Sequence, residues 1–160
     1  MDAVTYPHPD TQSAIAADFV PYKINMLERH PDFRDASAGA RVSWGPTLIV
    51  ADGRGLLIRR WVGWLPPDGF VAELAFCRAA ADYSHGKFEE ARSGFATLAE
   101  GSGDHPIQAE ALYWQGIAGF MAGKQDWAAL RESWGRLARE QPGTRFGTYA
   151  SVIHDAPEDS

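Results

Sequence analysis

Thiol chemistry in this 160-residue chain would have to run through one residue, Cys77. Thiol–disulfide exchange needs an attacking thiolate of lowered pKa and a second thiol to resolve the mixed disulfide. A single cysteine provides neither a Cys-x-x-Cys pair nor an internal disulfide. Cys77 also shares a helical face with Phe70, Val71 and Leu74, so a small buried hydrophobe is expected there. The histidines His8, His30, His85, His105 and His154 lie near turns or termini, with no i,i+3 or i,i+4 pair to set two metal ligands on one helix face. Ser43, Ser93 and Ser133 lack the context of a nucleophile elbow. Asp52-Gly53-Arg54-Gly55 joins two apolar runs and opens no helix, which makes it a hairpin turn rather than a phosphate loop. The expectation is therefore no catalytic residue, no metal and no cofactor.

Composition narrows the classes further. The chain is 45% hydrophobic, 22% charged and 12% aromatic, as an ordinary globular protein is. A net charge of -6 argues against nucleic acid, whose phosphates call for clustered Lys and Arg. No apolar run approaches the roughly 18 to 20 residues of a membrane span, and MDAVTYPHPD has neither the basic nor the apolar region of a signal peptide. No membrane association and a cytoplasmic location are expected.

The elements that would position any site fall into two halves. Helical spacing over Thr11 to Phe19 precedes Val20 to Met26 (VPYKINM), which reads as a strand, and a short helix is predicted over Pro31 to Ala38, closed by Gly39. Two apolar runs, Thr47 to Ala51 and Leu56 to Val62, flank the Gly-rich turn and predict a β-hairpin. From Pro67 the period is helical. Helices are predicted from Pro67, over Lys87 to Glu100, Pro106 to Ala122, Trp127 to Glu140 and Gly143 to Ile153, with turns at His85-Gly86, Gly101 to Gly103, Gly123 and Pro142-Gly143. The terminal APEDS is expected to fray.

The helical half repeats itself. Phe88, Ala91, Phe95 and Leu98 recur 39 residues on as Trp127, Leu130, Trp134 and Leu137, and Gly86-Lys87 recurs as Gly123-Lys124. This helix–turn–helix unit resembles a tetratricopeptide repeat, although that family's period is nearer 34; an amphipathic hairpin with a chance repeat is the alternative. The exposed side of such repeats would offer Tyr113, Trp114 and Trp134 as candidate binding aromatics, while aromatics at helical spacing mostly bury.

The stretch Val42 to Leu74, VSWGPTLIVADGRGLLIRRWVGWLPPDGFVAEL, resembles the second half of a thioredoxin domain: an X-Pro-Thr turn, a hairpin, a strand ending in Val62-Gly63, and a closing helix. The likeness reaches back to FVPYKINM. Tyr6-Pro7-x-Pro9 and Ala111-Leu112-Tyr113-Trp114 are similar to bacterial thioredoxin-family proteins with a helical extension. The resemblance implies an α/β fold, a partial thioredoxin-like sheet with flanking helices over 1–76, then an all-α tetratricopeptide-like region over 77–155 and a tail over 156–160. It also implies that Pro46 follows a cis bond, that Gly45 offers backbone N–H and C=O to an extended substrate, and that Gly63 lies in a second substrate loop. Trp44 and Trp64 would then flank a peptide groove centred on Pro46, or simply cover the junction of sheet and helices.

The resemblance also implies a missing part. The family's Cys-x-x-Cys and the strand leading into it belong upstream of these residues, which would leave the strand of Thr47 to Ala51 with an open edge. One expectation is that Met1 is an internal methionine of a longer reading frame that supplies them. Three functions stay open: a non-catalytic module binding a protein or extended peptide; a thiol–disulfide oxidoreductase of the thioredoxin family whose cysteine pair lies outside this chain; and an oligomerisation element that pairs through the open edge or the helical half.

Overall fold

In the computed structural model the described residues are 1–28, 30–37, 42–101 and 106–155. They form a mixed α/β protein, mostly helical, with one two-stranded antiparallel sheet. The chain divides into two compact units, Met1–Cys77 and Arg78–Ser160.

Unit 1 opens with α1, Pro9–Asp18, whose proline suits a first helical turn. Residues 20–25, expected as a strand, form none. The reason is local. Pro21 has no N–H to donate, and the Asn25 side-chain oxygen accepts from Leu27 N at 3.0 Å, turning the chain into the 3-10 turn Met26–Glu28. Val20 is left 96% exposed, and Tyr22 donates its hydroxyl to Asp32 Oδ2 at 2.6 Å instead of joining a sheet. The next helix, α2, spans only Phe33–Ala36; Ala38 and Gly39 lie outside the described residues.

The hairpin forms where the apolar runs predict it, as β1, Thr47–Ala51, and β2, Leu57–Val62. Asp52 makes the turn: its carboxylate accepts from Arg54 N and Leu56 N at 2.9 and 2.8 Å. Thr47 faces Val62, Leu48 faces Trp61 and Ile49 faces Arg60, with an irregularity at Val50/Ala51. Gly63 N donates to the Pro46 carbonyl at 2.9 Å, and this fixes the parity of the ladder. Leu48 exchanges hydrogen bonds with β2, whereas Thr47 and Ile49 turn their N–H and C=O groups to the outer edge of β1.

Helix α3, Pro67–Ser84, begins in unit 1 and covers one face of the hairpin. Tyr6 meets the Phe70 ring edge-on at 5.8 Å, and Phe70 meets Trp61 at 6.0 Å. Buried Thr5 donates its hydroxyl to the Leu65 carbonyl at 2.6 Å, tying the N-terminal segment to the approach of α3. Arg59 of β2 stands 4.3 Å over the Phe76 ring and pairs with Glu73 through Nε–Oε2 and Nη2–Oε1 contacts. Both charges are mostly buried. Removing the carboxylate by Glu73→Ala is expected to cost about 1.5–3 kcal/mol, the range for hydrogen bonds to a charged group. A urea titration beside the Arg59→Met/Glu73→Ala double variant, which removes both charges, separates loss of the pair from loss of packing.

Unit 2 contains α4, Phe88–Ala99; α5, Ile107–Ala122; α6, Trp127–Glu140; and α7, Arg145–Ala150, followed by the 3-10 turn Ser151–Asp155. The single helix expected to Ile153 thus changes pitch after Ala150. The repeated positions behave alike: Ala91 and Phe95 are buried with Phe88 and Leu98 half-buried, and Leu130 and Leu137 are buried with Trp127 and Trp134 half-buried. Helix α5 is apolar nearly all round, as a central helix must be. Its neighbour α6 crosses closely at Gly116, where a β-carbon would stand 2.9 Å from Trp134 Cδ1. The 102–105 link and the expected tail over 156–160 lie outside the described residues.

Candidate functional site

The hydrogen bond from Gly63 N to the Pro46 carbonyl joins the two segments that carry the predicted groove residues. The Gly45–Pro46 peptide is cis, and Gly63 takes a φ of 107°, a conformation that suits a residue without a β-carbon. Trp44 lies two residues before Pro46 and is 69% exposed; Trp64 follows Gly63 and is 55% exposed. Gly45 and Pro46 are exposed as well, and Val62 adds an exposed aliphatic side chain. Thr47 Oγ1 donates to the Trp44 carbonyl and holds the bend before β1. A β-carbon at Gly45 would stand 3.6 Å from Met26 Sδ, so the 3-10 turn of unit 1 borders this site.

Two indoles present large apolar faces, each with an N–H at its rim, and the β1 edge offers backbone donors and acceptors beside them. Cys77 is buried. Among the described residues no three His, Cys, Asp or Glu side chains converge as metal ligands; His105 lies outside them.

The aromatics named in the helical half occupy different surroundings. Trp114 fits between Tyr83 at 5.5 Å and Phe95 at 6.3 Å, the latter stacked. Tyr113 stacks on Trp134 at 4.6 Å with the rings 8° from parallel, and Trp134 Nε1 donates to the Tyr113 carbonyl at 2.9 Å. Burial, with the nearby Tyr149 adding to it, raises the Tyr113 hydroxyl above the usual tyrosine range. These rings therefore spend much of their surface on one another. The outward members of the cluster are Tyr149, 46% exposed, and Arg145, whose Nε donates to the Tyr149 hydroxyl at 2.8 Å and whose guanidinium lies 5.3 Å from that ring. Sequence reasoning passed over both. Their i,i+4 spacing at the start of a capped helix was the available signal.

Comparison with known protein families, with curated proteins and with solved structures gives no match to this chain.

Proposed function

We propose that this chain is a non-catalytic protein-binding module that holds an extended segment of another protein in the groove bordered by Trp44, Gly45, Pro46, Gly63 and Trp64. The observation that carries the reading is the exposure of both tryptophans, one two residues before Pro46 and the other next to Gly63, the two residues that the Gly63–Pro46 hydrogen bond joins. Large rings left in water at a rigid junction are the usual anchors of a binding surface, because they bury much area for little side-chain entropy. Under this reading unit 1 is thioredoxin-like in its hairpin and closing helix, and unit 2 is tetratricopeptide-like.

The test is a peptide array of unstructured decapeptides with alternating apolar residues, followed by fluorescence titration of the best binders. Trp44→Ala and Trp64→Ala are each expected to weaken binding about tenfold or more, as loss of an aromatic anchor does. Both positions are solvent-exposed, so stability should change by less than about 0.5 kcal/mol. Binding that is indifferent to both substitutions would overturn the proposal.

A further inference from the structure

The outer edge of β1 meets no partner strand among the described residues, and the geometry points to a second copy of this chain as its occupant. Thr47 and Ile49 direct their N–H and C=O groups outward, and neither meets a hydrogen-bond partner among the described residues. Natural edge strands are usually guarded by a charge, a proline or extreme shortness. Thr47-Leu48-Ile49-Val50-Ala51 contains neither charge nor proline.

Charge and symmetry select the occupant. Two copies of β1 related by a two-fold axis at Ile49 pair antiparallel, Ile49 against Ile49 and Thr47 against Ala51, and each outward group finds its complement. No like charges meet. The same operation on β2 sets Arg60 against Arg60, a destabilising pair, so the symmetric contact belongs to β1. The two-fold also brings the N-terminal end of each β1, which Trp44 precedes, to the C-terminal end of the other, where the turn leads to Leu56 and Leu57. These three side chains are 69%, 49% and 43% exposed. They offer on the order of 300 Å² per copy. With the strand edge added, this falls short of the roughly 800 Å² per partner of a standard interface, which makes the dimer a weak one that forms with concentration. The inference does not rest on the groove reading, since its readout is the size of the protein alone; Trp44 takes part in both, so the test is placed at Ile49.

Sedimentation of the full chain should show the mass rising from monomer toward dimer between ~10 µM and ~1 mM. Because Ile49 faces itself across the axis, with Cα atoms about 5.5 Å apart in such a pair, Ile49→Cys should oxidise to a disulfide-linked dimer. The rate should exceed several-fold that of Val20→Cys, which is 96% exposed and reports random collision. Ile49→Lys should remain monomeric, and where that variant is poorly folded Thr47→Lys takes its place. A monomer throughout the range, equal oxidation at 49 and 20, or a dimer that survives both lysines would overturn the inference.

Discussion

Gly147→Ala is expected to cost about 3 kcal/mol or more, against the usual gain of roughly 0.5–1 kcal/mol for glycine to alanine inside a helix. The reversal has a local cause. A β-carbon on Gly147 would sit inside van der Waals contact with the Gln141 carbonyl oxygen and carbon, and 3.1 Å from Thr144 Oγ1. The Gln141 carbonyl has little freedom to yield. It accepts from Thr144 N at 3.1 Å and Thr144 Oγ1 at 2.9 Å, and Thr144 Oγ1 in turn accepts from Gly147 N at 2.9 Å to cap α7. Relief of the clash must therefore pull α7 from its cap, and Ala150, fully buried at the far end of that helix, moves with it. Urea denaturation followed by near-ultraviolet circular dichroism checks the value. Gly143→Ala is the control, since no atom lies within 4 Å of its would-be β-carbon, and it should change stability by less than about 0.5 kcal/mol.

Phe95→Ala should cost about 3–5 kcal/mol, the range for removing a fully buried aromatic. Phe95 has no exposed surface, and Trp114 stacks on it. The lost ring leaves a cavity that the helices cannot close around, because α4 and α5 already touch their other neighbours at small residues: a β-carbon on Gly94 would be 2.9 Å from Ala79 Cβ of α3, and one on Gly119 2.8 Å from Ala129 Cβ of α6. Phe95→Leu, which keeps most of the volume, should cost no more than about 1.5 kcal/mol. The two variants in one denaturation series, followed by circular dichroism, separate volume from aromatic stacking. A cost for Phe95→Ala below about 1 kcal/mol would mean that this cluster is not the core of unit 2.

The helical half was legible because its signal is local. Phe70, Leu74 and Cys77 repeat at helical spacing and are buried on α3; Leu130, Ser133 and Leu137 do the same on α6, with Asp126 accepting from Ala128 N at its start. The hairpin was legible for the same reason, since Asp52 closes its turn from within the turn. The misread segment is Val20 to Met26. Its apolar residues suit a strand, but a strand exists only with a neighbour to pair with, and Asn25 bonds the backbone two residues on before any ladder can form. The short helix after Pro31 and the pitch change after Ala150 shifted boundaries, where capping by single side chains outweighs periodicity.

The candidate site shows the same division. The resemblance to a thioredoxin domain marked Trp44, Pro46 and Trp64, but nothing in their spacing said whether the indoles would face water or protein. That depended on which side of the hairpin α3 covers: Trp61 turns to Phe70, and the rings at 44 and 64 remain outside. The Arg59–Glu73 pair joins β2 to α3 across fourteen residues, and the Tyr113–Trp134 stack joins α5 to α6 across twenty-one. Sequence by itself determined the helices of the second unit, the hairpin and the absence of a cysteine pair, all of which follow from neighbours within a turn or two of chain. Only the tertiary structure decided which aromatics are spent on one another, which remain exposed, and which strand edges lie open among the described residues, because burial and pairing depend on partners distant along the chain.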